Sequence, residues 1–169
     1  MDYDGFSEFL KAAPKRLNDA WELLEAPSRN RDASDAAYRH VCAAYYLAGY
    51  AVECILKVYI MRLVEARSQR TRISRWPQAV QHLARGGNPI RLSGAHSHDL
   101  AKLYQAAELA AQVETDRKIA DVWTQCAKWD YAARYCPQFL PEAMRDRTAV
   151  AEFVSACDTM YHWIAQRVP

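Results

Sequence analysis

Glu53 and Lys57 stand four residues apart in the most apolar stretch of the chain, in the order that favours an ion pair along one helix face. Two uses are open to them. They form a structural pair that satisfies two charges at a helix surface or a dimer contact, or Lys57 faces a cleft and meets an anion such as a phosphate. A second group is Arg91-Leu-Ser-Gly-Ala-His96, with Arg91/His98 and Arg75/His82 at comparable spacing. An arginine can stabilise charge on a scissile phosphate while a histidine takes a proton from a hydroxyl, so such a pair can cleave RNA without a metal. Arginine and histidine are both frequent in this segment, and the spacing also arises by coincidence.

His98-Asp99 reads as a helix start, with Asp99 near free backbone N–H groups and His98 packed against the central helix. The sharper reading is a ligand site at a helix N-terminus. His96 and His98 lack a third metal ligand at a known spacing, so no metal or other cofactor is expected. Arg134-Tyr135 follows Trp123 and Trp129, with Tyr131 close by. Arg134 either stacks on an aromatic ring and pairs with Glu53 or Asp99, or joins Lys57 to clamp a phosphate while a ring lies under a base.

These residues need a scaffold, and the sequence supplies helices. From about Asp35 to Ala66 there is no proline, and apolar residues from Val41 to Val64 follow a helical period. Between Val41 and Val52 the apolar character covers nearly the whole circumference, as in a helix buried on most sides. Such a helix spans about 45 Å, with Ser34 as its expected cap. Before it, residues 6–24 form an amphipathic pattern interrupted by Pro14, which either kinks one helix or separates two. After it, residues 67–97 are basic, hold no acidic residue, and contain Pro77, Pro89, Gly86, Gly87 and Gly94. This segment is expected to be a mobile connection with one short helix at 77–83, and its arginines to form either a solvated loop or an arm that contacts phosphates. Further helices are expected from Ser97, over 116–128, and from near Asp146. No strand pattern of comparable strength occurs. The expected fold is all-α: a single-domain, up-and-down antiparallel helical bundle over 1–169 with one long central helix.

Composition narrows the partners. The chain has 169 residues, 51% of them hydrophobic, and a net charge of +2, so overall charge makes no case for nucleic acid. Five cysteines without a CxxC read as reduced, mostly buried thiols. An acidic start and no apolar run long enough to cross a bilayer lead us to expect a cytoplasmic protein without membrane contact. A Walker-type loop, a dinucleotide fingerprint, HExxH and a serine-hydrolase elbow are all absent from the sequence.

The run YYLAGYAVECILKVYI, with its Gly-Tyr-x-x-Glu-x-x-x-Lys core, resembles the signature helix of the HEPN family (higher eukaryotes and prokaryotes nucleotide-binding domain). Ser97-His98-Asp99-Leu100 with Leu103, then Trp129, then Arg134-Tyr135 near a proline, follow in the family's order. The resemblance implies a helical bundle, often a homodimer, that works as a nucleotide- or RNA-binding or partner-binding component of a toxin–antitoxin, stress-response or defence module. A nucleotidyltransferase is the implied partner. On this reading Lys57, Arg134 and His98 form a polar cleft, Glu53 orients Lys57, and Asp99 and Tyr135 belong to the same site. Many relatives are metal-independent ribonucleases with an Arg-x4–6-His motif on a later helix. The alternative is therefore such a ribonuclease, with Arg91 and His96 (or His98) as the active pair. A second alternative is a non-enzymatic scaffold for the nucleotidyltransferase.

Overall fold

The computed structural model describes residues 5–26, 33–68, 71–134 and 146–169. They are all-helical: α1 (Phe6–Glu25), α2 (Ala33–Ser68), α3 (Trp76–Arg85), α4 (Leu100–Ala106), α5 (Ala110–Glu114), α6 (Arg117–Cys126) and α7 (Arg147–Ala165), with 3-10 turns at Gly94–His98 and Tyr131–Arg134. Gly5 and Arg75 form an isolated bridge, and no strand occurs among the described residues.

The central helix is longer than its apolar pattern, about 54 Å for its 36 residues. It is buried on nearly every side from Ala51 to Met61, including the charged Glu53 and Lys57. The reason is that α1, α3, α4, α7 and the 131–134 turn all pack on it. Helix α1 lays Phe9, Ala13, Leu17, Ala20 and Leu24 along it, at spacings of three and four that make one stripe. It continues through Pro14 as one helix. Pro14 and Leu10 are both exposed, so the Leu10 carbonyl that loses its intrahelical donor lies on the solvent side. Helix α7 buries Val150, Phe153, Val154, Cys157, Met160 and Ile164, and Phe153 meets Tyr45 of α2 with ring centroids 4.6 Å apart. Asp146 caps this helix by accepting from the Ala149 N–H.

The segment expected to be a mobile connection is instead packed. Ile73, Trp76, Ala79 and Leu92 are buried, and α3 is longer than the 77–83 expected. Pro77 sits in its first turn, where a missing N–H does no harm. The Gln78 side chain reaches back to accept from the backbone N–H groups of Ser74 and Arg75. The Ser74 carbonyl accepts from Phe6, which ties the start of α1 to the strap before α3. Four cysteines, Cys42, Cys54, Cys126 and Cys157, are buried free thiols, and Cys136 lies outside the described residues. No helix among the described residues is long and apolar enough to cross a membrane. The apolar surface expected to carry a dimer contact is small there, since only Leu10 and Tyr131 are large exposed hydrophobics.

Candidate functional site

One stripe of α2 builds the site. Tyr45, Gly49, Glu53 and Lys57 follow at intervals of four, so they stand in a row along one side of the helix. Each does a different job.

Tyr45 is wholly buried, and its hydroxyl donates to the Lys128 carbonyl at 2.7 Å and accepts from the Asp130 N–H at 3.0 Å. Those two bonds fasten the turn after α6 to the central helix. Burial raises the Tyr45 phenol above its usual range, so the hydroxyl keeps the proton it donates. Gly49 leaves room for Trp129. A Cβ on Gly49 would lie 2.1 Å from the indole Cδ1, so no other residue fits here unless Trp129 shifts.

Glu53 is 0% exposed, and its Oε1 accepts from the Lys57 ammonium at 2.6 Å. Both carboxylate oxygens also meet His98 Nδ1, at 3.0 and 3.1 Å. Facing a carboxylate already paired with an ammonium, Nδ1 is the donor. The imidazole is thus locked, with Nε2 on the opposite side of the ring. Lys57, 3% exposed, lies between the rings of Phe9 and Trp76, with Nζ 5.1 and 5.3 Å from their centroids. A buried ammonium held by one carboxylate and two aromatic faces is satisfied where it stands. Lys57 therefore does not line the cleft as the sequence reading had it. Glu53 orients His98, and Lys57 neutralises Glu53 from behind.

In front of His98 lies a cleft of about 310 Å³ whose walls include His96, His98, Asp99, Trp129, Asp130 and Tyr131. The His98 side chain is 41% exposed and its ring lies 5.6 Å from that of Tyr131. Beside it, the Lys102 ammonium donates to His96 Nδ1 at 2.7 Å and lies 3.9 Å from Asp99 Oδ2. The two carboxylates at the mouth are engaged locally: Asp99 caps α4 by accepting from the Lys102 N–H, and Asp130 accepts from the Ala132 N–H. Asp99 thereby fills the helix start that could have taken an anion. The cleft thus presents an imidazole fixed by Glu53 with an aromatic ring against it, while the Lys102 ammonium is bonded to His96 at its edge.

Ser97, from which a helix was expected to start, instead belongs to the 3-10 turn, where its hydroxyl donates to the Gly94 carbonyl. Arg91 is exposed, its Nε donates to Ser93 Oγ at 3.3 Å, and it is not among the residues lining the cleft. His82 lines a separate cavity of about 550 Å³ near Arg67 and Glu108. Tyr135 and the side chain of Arg134 lie outside the described residues. Tyr131, named from the sequence beside Arg134, does line the cleft, whereas Lys102, which reaches its edge through His96, was missed. Lys102 carried a readable signal, three residues after Asp99 and six after His96. Among the described residues no three His, Cys, Asp or Glu side chains cluster as metal ligands. Comparison with protein-family models, with curated proteins and with solved structures finds no match.

Proposed function

We propose that this chain is an up-and-down antiparallel bundle of the HEPN type whose cleft at His98 binds the phosphate and sugar of a nucleotide or of RNA. The observation that carries the reading is the fully buried Glu53, which spends both carboxylate oxygens on the Nδ1 edge of a half-exposed histidine. Burying a carboxylate costs several kcal/mol unless it is well paired. Here it is spent on fixing one exposed imidazole beside a lysine. The ligand's phosphate meets Lys102 and His98 Nε2, and its base or sugar lies against Tyr131. Titration of the protein with a 5′-phosphorylated oligoribonucleotide tests this. The expected result is an affinity at least tenfold weaker in the folded double variant His98→Ala/Lys102→Ala. Equal affinity overturns the reading.

A second reading follows from the same locked imidazole. With Nδ1 held by Glu53, Nε2 is placed to take the proton of a ribose 2′-hydroxyl as that oxygen attacks the adjacent phosphorus, the bond from phosphorus to the 5′-oxygen breaks, and the leaving oxygen takes a proton from water. The products would be a 2′,3′-cyclic phosphate and a new 5′-hydroxyl. RNA incubated with the protein in EDTA distinguishes this from binding alone, with His98→Ala and Arg91→Ala/His96→Ala beside the wild type. Cleavage lost only in His98→Ala makes His98 the base, and cleavage lost in the double variant restores the Arg91–His96 pair. The family resemblance also leads us to propose a homodimer and a nucleotidyltransferase partner within a toxin–antitoxin, stress-response or defence module. Sedimentation velocity and co-purification test these two.

A further inference from the structure

The last turn of α2, the end of α3, the 86–90 turn and the end of α4 line a cavity of about 550 Å³, a usual size for a small-molecule site. The 86–90 turn is held in shape from within. The Asn88 N–H donates to the Leu83 carbonyl at 3.1 Å, and the Asn88 side-chain oxygen accepts from the Ile90 N–H at 2.9 Å. Val64, Leu83, Pro89 and Ile90 give the cavity an apolar lining. Arg67 and Glu108 also line it, as opposite charges joined by two bonds of 2.6 and 2.7 Å. Glu108 stands where the chain turns from α4 to α5, at φ 56°. That left-handed conformation is ordinary for glycine or asparagine after a helix and costly for glutamate. About half of each side chain of the pair lies in solvent, and an exposed pair stabilises too little to repay a strained backbone. The glutamate is therefore explained by what its carboxylate does at the cavity, not by the turn.

We propose that this cavity is a ligand site for a small zwitterion with an apolar body, the chemistry of a free aliphatic amino acid. The two bonds between Arg67 and Glu108 use only part of the guanidinium's N–H groups and of the carboxylate's lone pairs. The ligand's carboxylate accepts from the N–H groups that Arg67 has left, and its ammonium donates to the lone pairs that Glu108 has left. The protein's own pair stays intact. A lone anion would meet the Glu108 charge beside Arg67, and a lone cation the Arg67 charge beside Glu108, so a single charge gains little. The aliphatic part lies against Val64, Leu83 and Ile90, where its burial adds affinity. No residue lines both this cavity and the cleft at His98, so the inference does not rest on the reading of that cleft.

Calorimetric titration with L-leucine tests the proposal, beside 4-methylpentanoate, which lacks the ammonium, and 3-methylbutylamine, which lacks the carboxylate. The proteins are the wild type, Arg67→Ala, Glu108→Gln, Glu108→Gly and His98→Ala, each checked by circular dichroism. Leucine is expected to saturate the wild type at one site, about tenfold more tightly than either single-charge analogue. Arg67→Ala and Glu108→Gln should each weaken leucine about tenfold, while His98→Ala leaves it unchanged. Glu108→Gly should unfold at a higher temperature than Glu108→Gln, because it relieves the backbone, yet bind leucine no better. Both side chains of the pair are half-exposed, so these variants are expected to fold, and should Arg67→Ala fail to, Glu108→Gln decides alone. No saturable binding of leucine by the wild type overturns the proposal. So does equal affinity for leucine and its single-charge analogues, or unchanged leucine affinity in folded Glu108→Gln.

Discussion

Two ion pairs of this molecule invite comparison. Glu53 and Lys57 lie at the centre of α2, 0% and 3% exposed, with His98 on the open side of the carboxylate. Arg67 and Glu108 lie near the end of α2, paired through two bonds of 2.6 and 2.7 Å, with about half of each side chain in solvent. The second pair has the better bidentate geometry, and Glu108 is even held at φ 56°, in the left-handed region that a glutamate seldom visits. Yet geometry is not what separates them. Solvent screens Arg67 and Glu108, so either can lose its partner and be hydrated. Glu53 and Lys57 have no such refuge, and each depends on the other. A buried pair of this kind is a costly way to hold two helix turns together, and it makes sense where a third group, His98, must be held still.

The comparison can be broken most forcefully at Glu53. Glu53→Ala strands the Lys57 ammonium in an apolar box and should lower stability by about 3–5 kcal/mol in urea unfolding. Combining it with Lys57→Met should recover a large part of that loss, and strict additivity of the two changes would show that the buried pair is not coupled. Gly49→Ala comes next. Alanine gains up to about 1 kcal/mol of helix propensity, but overpacking against Trp129 costs about 1–3 kcal/mol, so a net destabilisation of roughly 1–2 kcal/mol is expected. A more stable variant would mean that Trp129 moves freely.

Alkaline pH sharpens the same contrast. Burial, with the Glu53 charge beside it, pushes the Cys54 thiol up to about 12 from its ordinary 9.0. The folded state then holds a proton that the unfolded chain releases above pH 9, so stability is full below that point and falls as pH rises toward 12. Each pH unit removes up to about 1.4 kcal/mol through this one group. Urea midpoints at pH 8 and pH 10 should therefore diverge less in Cys54→Ala than in the wild type. The smallest effect belongs to the exposed pair: Arg67→Ala should cost less than about 1 kcal/mol, and less again in high salt. A loss as large as that of Glu53→Ala would erase the distinction between the two regions.

What was readable in the sequence was what is local. The four-residue spacing of Glu53 and Lys57, the apolar period of α2 and α7, and the capping aspartates Asp99 and Asp146 are written within a few residues of each other. His98 was placed against the central helix from its position at a helix start, and that is where it lies. Its bond to Glu53 spans 45 residues, and no spacing rule reaches that far. The same limit hid the burial of Lys57, because its aromatic box comes from Phe9 and Trp76, on either side of it in the chain. The basic segment misled for another reason. Its prolines and glycines break the apolar period, and its four buried anchors, Ile73, Trp76, Ala79 and Leu92, are too sparse to stand out among the arginines. The need for glycine at 49 is equally non-local, since it is Trp129, 80 residues on, that fills the space a Cβ would take.

The central claim is that Glu53 locks His98 so that Nε2 serves the cleft. A long-range proton–nitrogen spectrum of the imidazoles, recorded while hexa-adenylate RNA is added, tests it most directly. The account predicts a His98 ring protonated at Nδ1, whose Nε2 signal shifts as the RNA binds. A neutral ring carrying its proton on Nε2, or an Nε2 signal that stays fixed through saturation, would contradict it.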